Sequence, residues 1–372
     1  MKKYCLPTLV AMAAGMFCVQ AQADSVSLYG LVDSGIDISR GSNSTSTRVI
    51  SGGAFGSRLG FRGVEDFGGG LSAIFRLEMG INIDSGALAQ GGLAFGREAS
   101  VGLASKSLGT LQLGRLPTPY YSAQNAVDAF LWVGSGGLTA ITRSGTTSQQ
   151  ILPLAVNARS NNALLYTSPK FANVELRALV SREEDTTAGK SSGLSARYSD
   201  GPLDLVAGYG RQNGLGTTNG KLESFVVGGS YNIGPARVYA GVTTEENSCT
   251  TCIGTLVRAT GVAGSNASEF RLVNLGVRIP LGNTTAIAQV VRVSDRSRYA
   301  AATGDRDATW FAIGGEYALS KRTGAYATIG TIGNQNGSLY ALGSGTVQQP
   351  ANFFGGANRR STTLTLGMRH NF

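Results

Sequence analysis

Apolar and polar residues alternate along most of this chain, with the two-residue period of a strand that has one covered face. The run 71–83 shows the pattern well. Leu71, Ala73, Phe75, Leu77 and Met79 fall on one face, Ser72, Arg76, Glu78 and Gly80 on the other, with Ile74 out of step. The C-terminal run 361–372 repeats it: Thr362, Leu364, Leu366, Met368, His370 and Phe372 against Thr363, Thr365, Gly367, Arg369 and Asn371. The same period predicts strands over 26–39, 56–64, 95–106, 110–115, 163–167 and 174–182. Paired runs follow at 193–199 with 203–212, 223–232 with 237–244, 269–279 with 284–293, and 309–318 with 324–333. Tight turns rich in Gly, Pro and Asp join many of these, such as Glu65-Asp66-Phe67-Gly68-Gly69-Gly70 and Asp200-Gly201-Pro202. Residues 40–53 read as a polar loop. One connector breaks the rhythm. It starts at Leu116-Pro117-Thr118-Pro119-Tyr120-Tyr121 and passes Asp128, Trp132 and a Gly-rich patch before Arg159 and Ser160. A compact domain seldom carries so long a connector without a use for it.

The count is sixteen strands, with short turns at one end and longer, polar, variable loops at the other. That inequality is the pattern of an outer-membrane barrel. An even count lets the last strand pair antiparallel with the first, and closure removes the edges that hydrocarbon cannot satisfy. The fold class expected is therefore all-β, a 16-stranded antiparallel transmembrane β-barrel. A soluble sandwich needs neither two unequal ends nor apolar residues outside and polar ones inside.

The chain starts Met1-Lys2-Lys3, continues with an apolar run from Leu6 to Val19 and ends that region with Ala21-Gln22-Ala23. This is a secretory signal, expected to be cleaved after Ala23, so that 24–372 forms the barrel. The run is too short for a membrane anchor and is broken by Pro7 and Gly15. Cys18 follows the bulky Phe17, which argues against a lipid-anchored cysteine. Loss of residues 1–23 removes two lysines and no acids, so the formal net charge falls from +9 to +7. The charges are scattered, which speaks against nucleic-acid binding; a positive lumen would instead concentrate anions. No later segment approaches the ~20 apolar residues of a spanning helix. Alternating strands give a mean hydropathy near zero, as the value of +0.02 has it, though a soluble β protein gives the same.

Fifty-three glycines suit bends, turns and an unfilled lumen. Cys249-Thr250-Thr251-Cys252 has redox spacing but lies in a polar loop, so a local disulfide between Cys249 and Cys252 is expected. Two cysteines without a nearby histidine do not make a zinc site, and no cofactor is expected. The single histidine, His370, sits two residues from the C-terminus on the apolar face, which leaves a Ser-His hydrolase without its base. The stretch 216–221 falls short of a phosphate loop, with Leu215 and Leu222 where Gly and Ser or Thr are required.

Five stretches in order resemble the Gram-negative general porins, especially those of β-proteobacteria. They are Leu28-Tyr29-Gly30, Ser57-Arg58-Leu59-Gly60-Phe61-Arg62-Gly63-Val64-Glu65-Asp66 with Gly68-Gly69-Gly70-Leu71, Leu113-Gly114-Arg115, Tyr317-Ala318-Leu319-Ser320-Lys321-Arg322-Thr323, and Gly367-Met368-Arg369-His370-Asn371-Phe372. The resemblance spans the whole mature chain. It implies a homotrimer of separate water-filled pores in outer-membrane lipid and lipopolysaccharide, passing small hydrophilic solutes and ions by passive diffusion. It also implies a third external loop folded inward, with wall arginines facing acids on that loop. By motif, Arg58, Arg97 and Arg159 match the wall arginines, while Asp128 stands alone where relatives often carry several acids. Leu31 stands where many carry a lysine. The terminal Phe372 resembles the signal read by the barrel-assembly machinery, and as an aromatic it also suits the inner interface belt.

Parity supports Arg58, which shares a face with Gly60 and Arg62. Arg97 shares a face with Ala99, Val101 and Leu103, so a luminal Arg97 would turn Glu98 and Ser100 outward. Arg76 is expected either to line the bore or to neutralise Glu78, and Arg115 either to line it or to pair near the rim. Tyr120 and Tyr121 either touch solutes or pack the loop to the wall, and Asp128 faces solutes or holds loop backbone. With few acids on the loop, net anion preference is expected. The alternative is a substrate-selective channel for a sugar or a particular anion, for which Tyr120, Tyr121 and Trp132 do not establish an aromatic track. A plugged structural barrel would carry no conductance.

Overall fold

The computed structural model describes residues 25–42, 44–131, 134–143, 149–150, 158–182, 189–215, 220–247, 268–296, 306–338, 340–343 and 358–372. The expected signal at 1–23, Trp132, and Cys249 with Cys252 lie outside the described residues.

The strands in chain order are β1 (Ser25–Arg40), β2 (Thr45–Ser51), β3 (Arg58–Gly68), β4 (Leu71–Gly80), β5 (Glu98–Ser105), β6 (Gly109–Pro117), β7 (Ile141–Arg143), β8 (Gln149–Gln150), β9 (Arg159–Thr167) and β10 (Val174–Ser181). They continue with β11 (Lys190–Asp200), β12 (Leu203–Leu215), β13 (Gly220–Ile233), β14 (Ala236–Asn247), β15 (Ser268–Leu281), β16 (Thr284–Asp295), β17 (Arg306–Ala318), β18 (Thr323–Asn334), β19 (Tyr340–Leu342) and β20 (Arg360–Asn371). Neighbours in this order pair antiparallel around the sheet, with β6 joining β9 and β18 joining β20. The ring closes where β20 pairs with β1, from Leu31 opposite Asn371 to Arg40 opposite Thr362. Closure leaves no open edge.

β2 and β3 share one place in the ring. β2 pairs with residues 34–40 of β1 and β3 with residues 25–31 of the same strand. Counted as one broken stave, they make a closed ring of sixteen. The expected polar loop at 40–53 is thus corrected: half of it is β2, and the departure from the wall comes later, at 52–57. β7, β8 and β19 form a separate three-stranded sheet.

Alternation sorts the two faces. Leu28, Ile36, Val101, Leu113, Val180, Leu194, Leu275, Ile313 and Met368 are exposed on the outside. Asp33, Asp37, Ser100, Thr243, Asn274, Gln289, Thr328 and Thr363, of opposite parity, are buried inside. Glu98 and Ser100 point inward while Ala99 and Val101 point out, and Arg97 precedes β5. The expectation that a luminal Arg97 would turn Glu98 and Ser100 outward therefore fails, because strand parity does not extend to a residue before the strand.

Candidate functional site

The described part of the connector between β6 and β9 is structured, which the alternation alone did not foretell. It opens with the helix α1 (Pro119–Asn125), started by two local devices. Thr118 Oγ1 accepts the Tyr121 N–H at 3.3 Å, and Pro119 occupies the first turn, where its missing N–H costs nothing. The Tyr120 side of α1 packs on the inward face of the barrel. Tyr120, Ala123, Val127, Ala129 and Phe130 are all buried there in one cluster with wall residues such as Val226, Val291 and Trp310. Burial pushes the Tyr120 phenol up from its ordinary value.

Two features of the wall receive the connector. A run of glycines on successive strands leaves room for close approach. A Cβ at Gly208 would lie 2.6 Å from the Ala123 Cβ, one at Gly241 2.8 Å from the Val127 Cβ, and one at Gly276 2.5 Å from the Ala129 Cβ. Wall side chains also meet the connector's backbone. Asn274 donates to the Val127 carbonyl at 2.7 Å, Arg278 to the Ala129 carbonyl at 2.9 Å, and Gln289 Nε2 to the Gly136 carbonyl at 3.1 Å. Buried peptide groups need such partners.

Asp128 is one of these fixings. Its carboxylate is fully buried and accepts the N–H groups of Phe130 (2.9 Å) and Leu138 (2.8 Å) and the Gln289 amide (3.2 Å). It holds loop backbone, the second of its two expected roles.

On the other side of the connector lies a cavity of about 610 Å³. Arg58, Arg76, Arg97, Arg159, Glu78 and Glu98 line it from the wall, and Tyr121, Asn125, Leu131 and Thr139 from the connector. Arg97 Nε bonds Glu78 Oε1 at 2.6 Å, and Tyr29 donates to Glu78 Oε2 at 2.8 Å. Arg76 pairs with Glu98 at 3.2 Å, so the expected neutralisation by Glu78 gives way to a partner on the next strand. Arg58 Nε donates to the Gly56 carbonyl at 3.0 Å, and Arg159 Nε to the Arg97 carbonyl at 2.6 Å. Among the described residues neither Arg58 nor Arg159 makes an ion pair. The Arg159 guanidinium lies 5.5 Å from the Tyr121 ring centroid.

Of the other expected residues, Arg115 is set apart. It has the outward parity of β6, opposite Ala99, and donates to the Gly96 carbonyl at 2.8 Å and to Asn161 Oδ1 at 2.5 Å. Tyr120 packs to the wall, whereas Tyr121 reaches the cavity. Phe372 exchanges two backbone bonds with Gly30, at 3.0 and 3.1 Å, with its ring over the space a Cβ on Gly30 would take. Sequence reasoning missed Glu98 as a lining acid, Phe55 as a lining aromatic, and Asp33 behind it. The inward parity of Glu98 and Ser100 was available, and only the attempt to extend it to Arg97 hid it.

A model of the Gram-negative porin family matches residues 8–337. The chain is 27% identical to an outer membrane porin protein of Bordetella pertussis, over 97% of this chain and 98% of the relative. It is 28% identical to outer membrane porin protein 32 of Delftia acidovorans over the full length of both. Among solved structures it is similar to an anion-selective porin from Comamonas acidovorans, with a TM-score of 0.76 at 24% identity, covering 94% of this chain and 99% of that one. OmpT of Vibrio cholerae, at 16% identity and a TM-score of 0.66, shares the fold over 93% of this chain and 97% of its own.

Proposed function

This chain belongs to the Gram-negative porin family and forms a porin channel of the outer membrane, and from that premise we propose that its connector narrows the bore and makes the channel prefer small anions. The preference rests on the charges around the cavity: four arginines, two glutamates already paired, and no carboxylate offered by the connector, whose Asp128 is turned into the wall. Arg58 and Arg159 keep a net positive field at the narrow point. An arginine holds its charge at any physiological pH and is more weakly hydrated than a lysine; that fixed positive charge lowers the cost of passage for an anion and raises it for a cation. Small hydrophilic solutes follow the same path by passive diffusion.

We propose three further steps in the life of the channel. Residues 1–23 are removed on export; three copies assemble as separate pores in lipid and lipopolysaccharide; and the barrel-assembly machinery reads Phe372. The apolar exterior suits a wall set in lipid, and the exposed ring of Phe372 suits its being read by another protein.

The test is a reversal potential in a planar bilayer under a KCl gradient. Chloride is expected to pass more readily than potassium, and Arg58→Ala to bring the permeability ratio toward one. Potassium passing more readily in the parent protein overturns the reading.

A further inference from the structure

The break between β2 and β3 is held by an unusual number of directed bonds. Asp33, inward on β1 and fully buried, faces it. Asp33 Oδ2 accepts the N–H groups of Ala54 (3.2 Å) and Phe55 (2.9 Å), and Oδ1 accepts the Tyr326 hydroxyl at 2.7 Å. The Asp33 carbonyl accepts the Gly52 N–H at 2.9 Å and the Ser57 hydroxyl at 3.1 Å, and Ser57 Oγ in turn accepts the Asp33 N–H at 2.9 Å. One residue thus fixes both ends and the middle of 52–57.

That segment is positioned to matter. Its Gly53 carbonyl accepts the N–H of Gly134 on the connector at 2.6 Å, and its Gly56 carbonyl accepts Arg58 Nε. Phe55 lines the arginine cavity and carries the Arg369 guanidinium 4.9 Å from its ring centroid. Ala54 lines the arginine cavity and also a second cavity of about 300 Å³ near the β17–β18 turn. The segment therefore sits between the narrow point and the short-turn mouth.

We propose that residues 52–57 are a wall-borne shelf that forms the second lip of the narrow point, and that Asp33 is the positioning residue that folds the shelf inward and aims Arg58. This rests on the reading of the arginine cavity as the narrow point, but it assigns half of the narrowing to the wall and a role to a residue that touches no solute. A buried carboxylate suits the task because it can accept from two peptide N–H groups and a hydroxyl at once, which no neutral side chain of its size does.

The experiment compares the parent protein with Asp33→Ala, Asp33→Asn and Tyr326→Phe in planar bilayers and in a liposome-swelling size series. Asp33→Ala is expected to raise single-channel conductance roughly 1.5-fold or more, admit larger sugars, and bring the chloride-to-potassium ratio toward one. Asp33→Asn, which cannot accept on both atoms, is expected to shift the same way by less. Tyr326→Phe, which leaves both peptide bonds to the carboxylate, is expected to shift least. A role in stability alone would lower the unfolding temperature and leave the size cutoff and reversal potential unmoved. If Asp33→Ala does not fold, Asp33→Asn decides. Folded variants with the parent's conductance and size cutoff overturn the proposal. The parent's own reversal potential separates the two readings: cation preference there sinks anion selection, while the size series still judges the shelf.

Discussion

Glu78 receives Arg97 on one oxygen and Tyr29 on the other, so at the edge of the cavity its charge is already compensated. Glu78→Gln should leave Arg97 uncompensated and raise the chloride-to-potassium ratio, read from the reversal potential. The fold should also lose stability. Removing one partner of a fully buried pair costs about 3–5 kcal/mol, and the loss here should be smaller because the cavity is open to water. At this scale the sequence was legible in part. Arg58 could be placed by its parity with Gly60, whereas Asp128 stayed open between solutes and loop backbone, because its partners Leu138 and Gln289 are set by the fold. Asp33 could not, because its partners at Ala54, Phe55 and Tyr326 are brought to it by closure of the ring, and nothing local in Val32-Asp33-Ser34 announces them.

The elements differ in how plainly they were written. Strands such as β4 and β20 carry long runs of alternation, broken in β4 at Ile74, and were found to within a few positions. The helix α1 is too short for a helical period to show, although Thr118 before Pro119 is a start signal readable from residues alone. β2 was lost because Thr45-Ser46-Thr47 reads as loop by polarity, while the residues are a strand facing a watery interior on one side. The seat of the connector gives a prediction of its own. Gly241→Leu should push Val127 off the wall and into the bore, lowering single-channel conductance. Overpacking of this kind should also cost about 1–3 kcal/mol, visible in thermal unfolding.

Across the whole molecule, the inner wall carries arginines well beyond the cavity. Arg278 and Arg369 share Glu316 on the far side, and Arg197 and Arg237 share Asp204. Each group places more positive than negative charge on the lumen, so the proposed bias toward anions would belong to the whole charged bore. It should fall with added salt: the screening length shrinks from about 30 Å at 0.01 M to about 3 Å at 1 M. Reversal potentials at a fixed KCl ratio over rising total concentration should show the chloride preference shrinking steadily.

The connector is bound to strands that the ribosome makes last. Thr142 lies opposite Ala341 in the small sheet, and the Ser135 hydroxyl donates to the carbonyl of Thr363, 228 residues further along. Contacts so distant in the chain form late, because the long loop between them must close first. A barrel whose final strand has not docked lacks these last fixings of the connector, held until then by bonds such as Gly134 to Gly53 and Gly136 to Gln289, so the tip takes its final seat only as the ring closes.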